Sequence, residues 1–421
     1  MNILMIALQG DTANGICAET IARECLRRGH QVQWVVNRGT CPSLNDDGAT
    51  IYAVKPRLID RILAWCRRST RKQSRFTQLI RMGAVWLNRL KMMIGIAWWP
   101  LVSPLYTHRV TKAAFAAFSQ HKPDIVLGVY TQIDALIAAN EVKKRYPSSV
   151  YIAYFLDSLS GGKGPKIMSP GQTKRQGRKW ERRLLANCDA AIVMESSRPF
   201  HERNSSGEVF YNKLIYLDLP LLKMIETPRY EKTPGDFRSI VYAGSIPTGI
   251  RSPDFILEVM SRIVDTSLRL EFIGDCESPA LQIAAELDSR IVLRGRVSHD
   301  EAIAAMQGAN CLLSLGNNLP HMAPSKVFEY MALQKPIIAT YPIDDEPSLT
   351  YLKKYGHTLL LDERRRDYDT VAQEVLNFLD STSFVAQEGR IEELRCIFKK
   401  NTPEYFCDVI EQIAKKLGVT I

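Results

Sequence analysis

The feature that most constrains the fold is a pattern that occurs twice along the chain. A short apolar run leads into a loop, a stretch with apolar residues at helical spacing, and another apolar run. In the first occurrence Asn2–Ala7 is the apolar run and Gly10–Gly15 the loop. Ile21, Ala22, Cys25 and Leu26 share one helical face, Gly29 is a helix stop, and Gln31–Val36 is the next strand. Continuous apolar runs of strand length suit strands buried on both faces, and a strand–helix–strand order makes them parallel. The series resumes at Asp124–Val129, with a helix near Ile133–Lys144, and continues through Val150–Phe155 and Leu184–Met194. A second series begins at Ser239, with runs at Ile240–Ala243, Leu270–Ile273, Ile291–Leu293, Ala309–Leu315 and Pro336–Thr340. Between the two series Thr227–Asp236 is polar, with two prolines and a glycine, and reads as a linker.

The expected architecture is therefore α/β, with two doubly wound, Rossmann-like parallel-sheet domains facing a cleft. The boundaries are 1–222 for the first domain, 223–238 for the linker and 239–400 for the second domain. An amphipathic helix within 401–421 follows, with a return to the N-terminal domain open to it. Sheets of this kind bind ligands beyond the carboxyl ends of their strands, and clefts between domains are preferred sites.

The chain of 421 residues carries a net charge of +10. From Lys55 to Lys91 there are eleven basic residues against Asp60, and from Lys163 to Arg183 eight against Glu181. These two segments hold +17, which leaves −7 for the rest of the chain. Five of six tryptophans lie in or beside them: Trp65, Trp86, Trp98, Trp99 and Trp180. A nucleic-acid binder is more often basic along a whole domain and carries a reader motif; none is found, and no nucleic-acid partner is expected. Arginine, lysine and tryptophan together suit an anionic membrane surface. The candidate patch is Arg67, Arg68, Arg71, Lys72, Trp98 and Trp99, within an insertion at about 55–112 whose alternative is a set of helices packed on the domain.

The nine cysteines are scattered, without a CxxC pair or metal-ligand spacing, and fit a reducing compartment. MNILMIAL opens directly as a strand, without a signal-peptide pattern. The uncharged stretch Met92–His108, 17 residues long, is interrupted by two prolines and falls short of the ~20 apolar residues that span a bilayer. A cytoplasmic protein, peripheral on the inner face of the membrane, is the expectation.

The most specific stretch is APSKVFEYMALQKPIIA, Ala323–Ala339. Pro324 suits a first helical turn, with Ser325 and Lys326 beside it able to offer a hydroxyl and a cation to a diphosphate. Glu329 lies one turn on, where a carboxylate accepts two ribose hydroxyls; an ordinary capped surface helix is the alternative. With YAGSI at Tyr242–Ile246, FIGD at Phe272–Asp275 and LRGRVSHDE at Leu293–Glu301, this run resembles the C-terminal domain of GT-B glycosyltransferases of the family 4 type. The N-terminal half resembles it more weakly, through the first strand, the glycine loop and RGHQV at Arg28–Val32.

The resemblance implies a nucleotide-sugar donor held by the C-terminal domain and a saccharide or lipid-linked acceptor held by the N-terminal domain. It also implies retention of anomeric configuration without a metal or other cofactor. By position, Glu329 takes the ribose and Ser325 and Lys326 the phosphates. Gly244 and Ser245 admit the diphosphate close to the backbone, and Arg296 lies near the base or its ribose. Of the phosphate-binding Arg and Lys that follow this strand in the family only Arg251 is available here, with Pro253 and Asp254 where the lysine is expected, a role left to Lys326. Gly15 passes close to the diphosphate and the acceptor. Asp157, after the strand ending at Phe155, is placed to orient or deprotonate an acceptor hydroxyl; a turn cap is its alternative. Eight positions before Glu329, where the family carries a glutamate against the donor sugar, this chain has His321, which can donate a hydrogen bond to the sugar or a phosphate. The expected activity is hexosyl transfer, in the setting of bacterial surface-polysaccharide or lipid-linked oligosaccharide synthesis. A silent glycosyltransferase-like binding subunit and a GT-B-fold sugar-nucleotide epimerase are the alternatives.

Overall fold

The computed structural model describes residues 1–10, 12–40, 47–62, 80, 82–83, 85–86, 99–101, 103–156, 158–161, 164–165, 167–222, 237–276, 278–320, 324–381 and 390–420. Asp157, His321, Trp98, the basic residues Arg67, Arg68, Arg71 and Lys72, and nearly all of the 223–238 linker lie outside these residues. The chain forms two units, one of Met1–Pro220 together with Pro403–Ile421 and one of Leu221–Thr402.

In the first unit the apolar runs become a parallel seven-stranded sheet. Its strands are β1 (Asn2–Ile6), β2 (Gln31–Asn37), β3 (Thr50–Val54), β4 (Ile125–Val129), β5 (Val150–Phe155), β6 (Ala190–Met194) and β7 (Leu214–Leu217), in the order β3-β2-β1-β4-β5-β6-β7. Ile3 of β1 sits opposite Val32 of β2 and Ile125 of β4. The helix Ala13–Arg27 starts on Thr12, whose hydroxyl accepts the Gly15 N–H at 3.2 Å. It stops at Gly29, where φ is +83° and the His30 N–H closes onto the Cys25 carbonyl at 3.0 Å. Tyr106, Val110, Ala114 and Ala117 of the helix Pro104–His121 and Leu136, Ala139 and Val142 of Ile133–Arg145 fill one core with the sheet. The last helix, Pro403–Lys416, packs on Ala13–Arg27. There Arg28 binds Asp408 at 2.8 Å, Glu411 at 3.1 Å and the Glu404 carbonyl at 2.8 Å, and the Phe406 ring lies 4.8 Å from Tyr154.

The second unit holds a six-stranded parallel sheet. Its strands are β8 (Arg238–Ala243), β9 (Leu268–Ile273), β10 (Ile291–Gly295), β11 (Cys311–Leu315), β12 (Ile337–Tyr341) and β13 (Thr358–Asp362), in the order β10-β9-β8-β11-β12-β13. The helix His299–Gly308 opens with a capping box, Ser298 accepting the Glu301 N–H while Glu301 accepts that of Ser298. In each sheet the chain reverses its winding direction once, between β1 and β4 and between β8 and β11, and a crevice opens at the carboxyl ends there.

Three strands, β3, β7 and β13, were not anticipated from sequence. All three are sheet edges, and most of their residues are only partly buried. Their apolar runs, IYAV, LIYL and LLL, are short, and a run of that length does not separate strand from helix by periodicity alone.

Candidate functional site

The best-defined site is the crevice between β8 and β11. Gly244 follows β8, and its amide donates to the Ile273 carbonyl at 2.8 Å. Its own carbonyl oxygen lies 2.1 Å from the place a Cβ on Gly274 would occupy, and Gly274 has φ of +121°. Glycine is therefore obligatory at 274. At Gly244 itself an added Cβ would meet the Tyr242 hydroxyl at 3.2 Å, a tight fit. On the other side of the crevice an added Cβ on Gly316 would lie 2.6 Å from the Thr340 carbonyl.

Arg251 spans this crevice. Its Nε donates to Oδ1 of Asn317, after β11, at 3.0 Å. Its Nη1 donates to the Tyr242 hydroxyl of β8 at 3.1 Å and lies 3.5 Å from the Ser245 carbonyl. The Tyr242 hydroxyl in turn donates to the Ser245 carbonyl at 2.7 Å, which folds the loop after β8 into place. Burial pushes the Tyr242 hydroxyl pKa up, against the opposing pull of the Arg251 charge, so the phenol stays a donor. Asn317 is fully buried, and its backbone N–H donates to Oε1 of the buried Glu346 at 3.4 Å.

The expected helix near Pro324 runs Lys326–Ala332, with Ser325 at its N-cap making no side-chain cap bond. The Tyr330 hydroxyl accepts the Ala243 N–H at 3.0 Å and so pins this helix to the last residue of β8, next to Gly244. Lys326 and Glu329, given separate duties by the sequence, are paired: Nζ lies 2.7 Å from Oε2, with Glu329 buried and Lys326 partly exposed. Arg296, after β10, is well exposed and 3.8 Å from Asp275.

In the first unit the equivalent crevice lies between β1 and β4. Gly15 is obligatory there, because a Cβ would sit 1.8 Å from the Gln9 carbonyl. The Leu8 N–H donates to the Thr131 hydroxyl at 2.8 Å and Asn14 to the Tyr130 carbonyl at 2.7 Å, so the loops after β1 and β4 are tied together. After β5, Ser158 and Ser160 donate to buried Glu181 at 2.8 and 2.7 Å. Burial raises the Glu181 pKa.

The second basic segment proves to be half core. On the helix Pro170–Leu185, Gly177, Trp180, Glu181 and Leu184 face inward. Trp180, counted with the basic segments by sequence, packs inside with Arg183 over its ring at 5.1 Å. Lys174, Arg175, Lys179, Arg182 and Arg183 remain exposed, with Arg182 held by Glu208 at 2.6 Å.

Sequence reasoning named Gly15, Gly244, Ser245, Arg251, Ser325, Lys326 and Glu329. It did not name Asn317, Tyr242, Gly316 or Gly274 as parts of the site. The alternation of strands and loops was the available signal for the two glycines, since each follows a strand. Asn317 had none, being 66 residues from its partner Arg251. Among the described residues no three His, Cys, Asp or Glu side chains gather as metal ligands.

Residues 238–381 match the family described as Glycosyl transferases group 1. The whole chain is similar in structure to sucrose-phosphate synthase from Thermosynechococcus elongatus, with a TM-score of 0.64 at 12% identity, covering 99% of both chains. It is also similar to a glycosyltransferase from Rickettsia africae, at 0.61 and 10%, covering 99% and 98%. A third similar structure is HepE from Anabaena in complex with UDP and glucose, at 0.61 and 11%, covering 98% and 99%. The fold is GT-B. No curated protein matches the chain in sequence. The family match supports glycosyl transfer as the activity, and it covers β8 through the helix Tyr368–Ser381, which includes the crevice described above.

Proposed function

We propose that the protein transfers a sugar from a nucleoside diphosphate donor, bound at the β8/β11 crevice, to a hydroxyl of a saccharide or lipid-linked acceptor. The observation that carries this reading is Arg251 held across the crevice by Asn317 and Tyr242, beside Gly244 and the Lys326–Glu329 pair, all within the segment that matches Glycosyl transferases group 1. The UDP complexes of HepE are those of a structurally similar protein and favour a nucleotide-sugar donor here.

In this reading the leaving diphosphate meets Arg251, Lys326 and the Gly244–Ser245 backbone. Fixed donors of this kind stabilise charge that develops as the glycosidic bond to the phosphate breaks, without a divalent cation. Glu329, released from Lys326 as that ammonium turns to the phosphates, accepts the ribose hydroxyls. Arg296 lies on the base side, and His321 donates to the donor sugar or a phosphate. In the first unit Gly15 and the tied loops after β1 and β4 receive the acceptor, and Asp157 orients its hydroxyl. Transfer with retention of configuration follows the resemblance to family 4 enzymes.

A cytoplasmic, membrane-peripheral setting in surface-polysaccharide or lipid-linked oligosaccharide synthesis completes the proposal. Exposed apolar side chains at Leu58, Met82, Trp86 and Leu105 lie in the basic insertion, and the outer face of Pro170–Leu185 adds exposed lysines and arginines. Both suit an anionic interface. No helix among the described residues is long and apolar enough to cross a membrane. The test is turnover of UDP-, GDP-, dTDP- and ADP-sugars by purified protein with bacterial membranes added. Transfer of labelled sugar supports the enzyme; nucleotide binding without any turnover leaves the silent binding subunit in its place.

A further inference from the structure

The guanidinium of Arg251 is held in an unusual way for a partly buried cation. Its partners among the described residues are all neutral: Asn317 Oδ1 at 3.0 Å, the Tyr242 hydroxyl at 3.1 Å and the Ser245 carbonyl at 3.5 Å. None is a carboxylate, whereas Arg28, Arg238, Arg290, Arg364 and Arg365 all have acidic partners. Neutral acceptors fix direction without cancelling charge, and Nη2, with two N–H groups, donates to none of the described residues. The two holders come from the strands on either side of the crevice, Tyr242 from the end of β8 and Asn317 from beyond β11. Each is itself fixed: Tyr242 by its hydroxyl donating to the Ser245 carbonyl at 2.7 Å, and the backbone of Asn317 by its N–H donating to Oε1 of Glu346 at 3.4 Å.

We propose that Asn317 and Tyr242 are positioning residues that preset Arg251, with no carboxylate partner and Nη2 unused among the described residues, for the diphosphate of the donor. This rests on the donor reading given above and extends it from the binding group to the groups that aim it. Preorganisation matters because a long arginine side chain otherwise loses rotamer freedom when it binds. A neutral holder is required because a carboxylate in the same place would compete with the phosphates for the guanidinium.

The test is calorimetric titration of the full-length protein with whichever of UDP, GDP, dTDP and ADP binds the wild type, and with the matching nucleoside. Asn317→Ala should weaken the diphosphate about 10-fold and Tyr242→Phe about 3-fold, with the nucleoside unchanged in both. Asn317→Asp keeps the acceptor but supplies a carboxylate, so it too should weaken the diphosphate and spare the nucleoside; a residue needed only for packing would, through the cost of burying that charge, weaken both ligands alike. Arg251→Met combined with Asn317→Ala should bind no more weakly than Arg251→Met alone, because the asparagine acts through the arginine. Additive losses, or equal losses of diphosphate and nucleoside, overturn the inference. If Asn317→Ala does not fold, Tyr242→Phe and Asn317→Asp decide it by the same criteria. If the wild type binds none of the four nucleotides, the donor reading itself falls, and this inference with it.

Discussion

Removing the Glu329 carboxylate separates the nucleoside half of the donor from its diphosphate half. Glu329 is buried, and its carboxylate accepts from the Lys326 ammonium at 2.7 Å. If it accepts two ribose hydroxyls, each bond to a charged acceptor contributes about 1.5 kcal/mol, so Glu329→Ala removes about 3 kcal/mol of nucleoside binding, a factor of about 150. The same change leaves the Lys326 ammonium without its carboxylate. That costs about 1 kcal/mol of stability, discounted because the lysine is partly exposed, but it releases a cation for phosphate. The expected outcome is a loss of UDP affinity of about 100-fold, while inorganic pyrophosphate binds no more weakly than to the wild type. Calorimetry with both ligands, alongside a melting curve, reads the two halves separately. UDP affinity that is unchanged, or UDP and pyrophosphate falling together, would refute the ribose role of Glu329.

Three other outcomes are expected, two from the structure and one from the basic insertion read in the sequence. Gly274→Ala places a Cβ 2.1 Å from the Gly244 carbonyl at φ of +121° and should cost about 3 kcal/mol, lowering the melting temperature by roughly 6–12 °C; a melting temperature within a degree or two of the wild type would count against the close approach. Burial lowers the His201 pKa from 6.5 to about 4, so the fold holds it neutral while the unfolded chain takes up a proton. That stability is complete above pH 6.5 and is lost as pH falls towards 4, with about 2 kcal/mol gone at pH 5. Urea denaturation at pH 7 and pH 5 should show this loss shrinking in His201→Gln, and an equal loss in both proteins would contradict it. Charge reversal at Arg67, Arg68, Arg71 and Lys72 should release the protein from anionic liposomes in flotation, and retained binding would argue against the surface patch.

Much of the fold was legible because both sheets are parallel and their inner strands are buried on both faces. β4, β5, β6 and β11 are buried throughout, and β1 throughout but for its first residue. Runs such as ILMI and IVLGV need no tertiary information to be read as strands. The half-buried edge strands β3, β7 and β13 carry apolar runs too, IYAV, LIYL and LLL, but so short a run does not separate strand from helix by periodicity alone. The glycines of the site were also legible in part, since a glycine just after a buried strand marks close backbone approach. What remained hidden was relational. The pairing of Lys326 with Glu329 depends on rotamers within one helical turn, and the link from Arg251 to Asn317 exists only because β11 crosses over to lie beside β8. Trp180 shows the converse: its basic neighbours suggested an interface, yet its position on the helix opposite the exposed lysines makes it a core residue.

The most direct test of the central claim is a crystal structure of the protein with the nucleoside diphosphate it binds best. The account predicts the diphosphate against Arg251, Lys326 and the Gly244–Ser245 backbone, with the ribose hydroxyls on Glu329. Nucleotide density away from the carboxyl ends of β8 and β11, with Arg251 still held by Asn317, Tyr242 and Ser245 and not touching it, would contradict it.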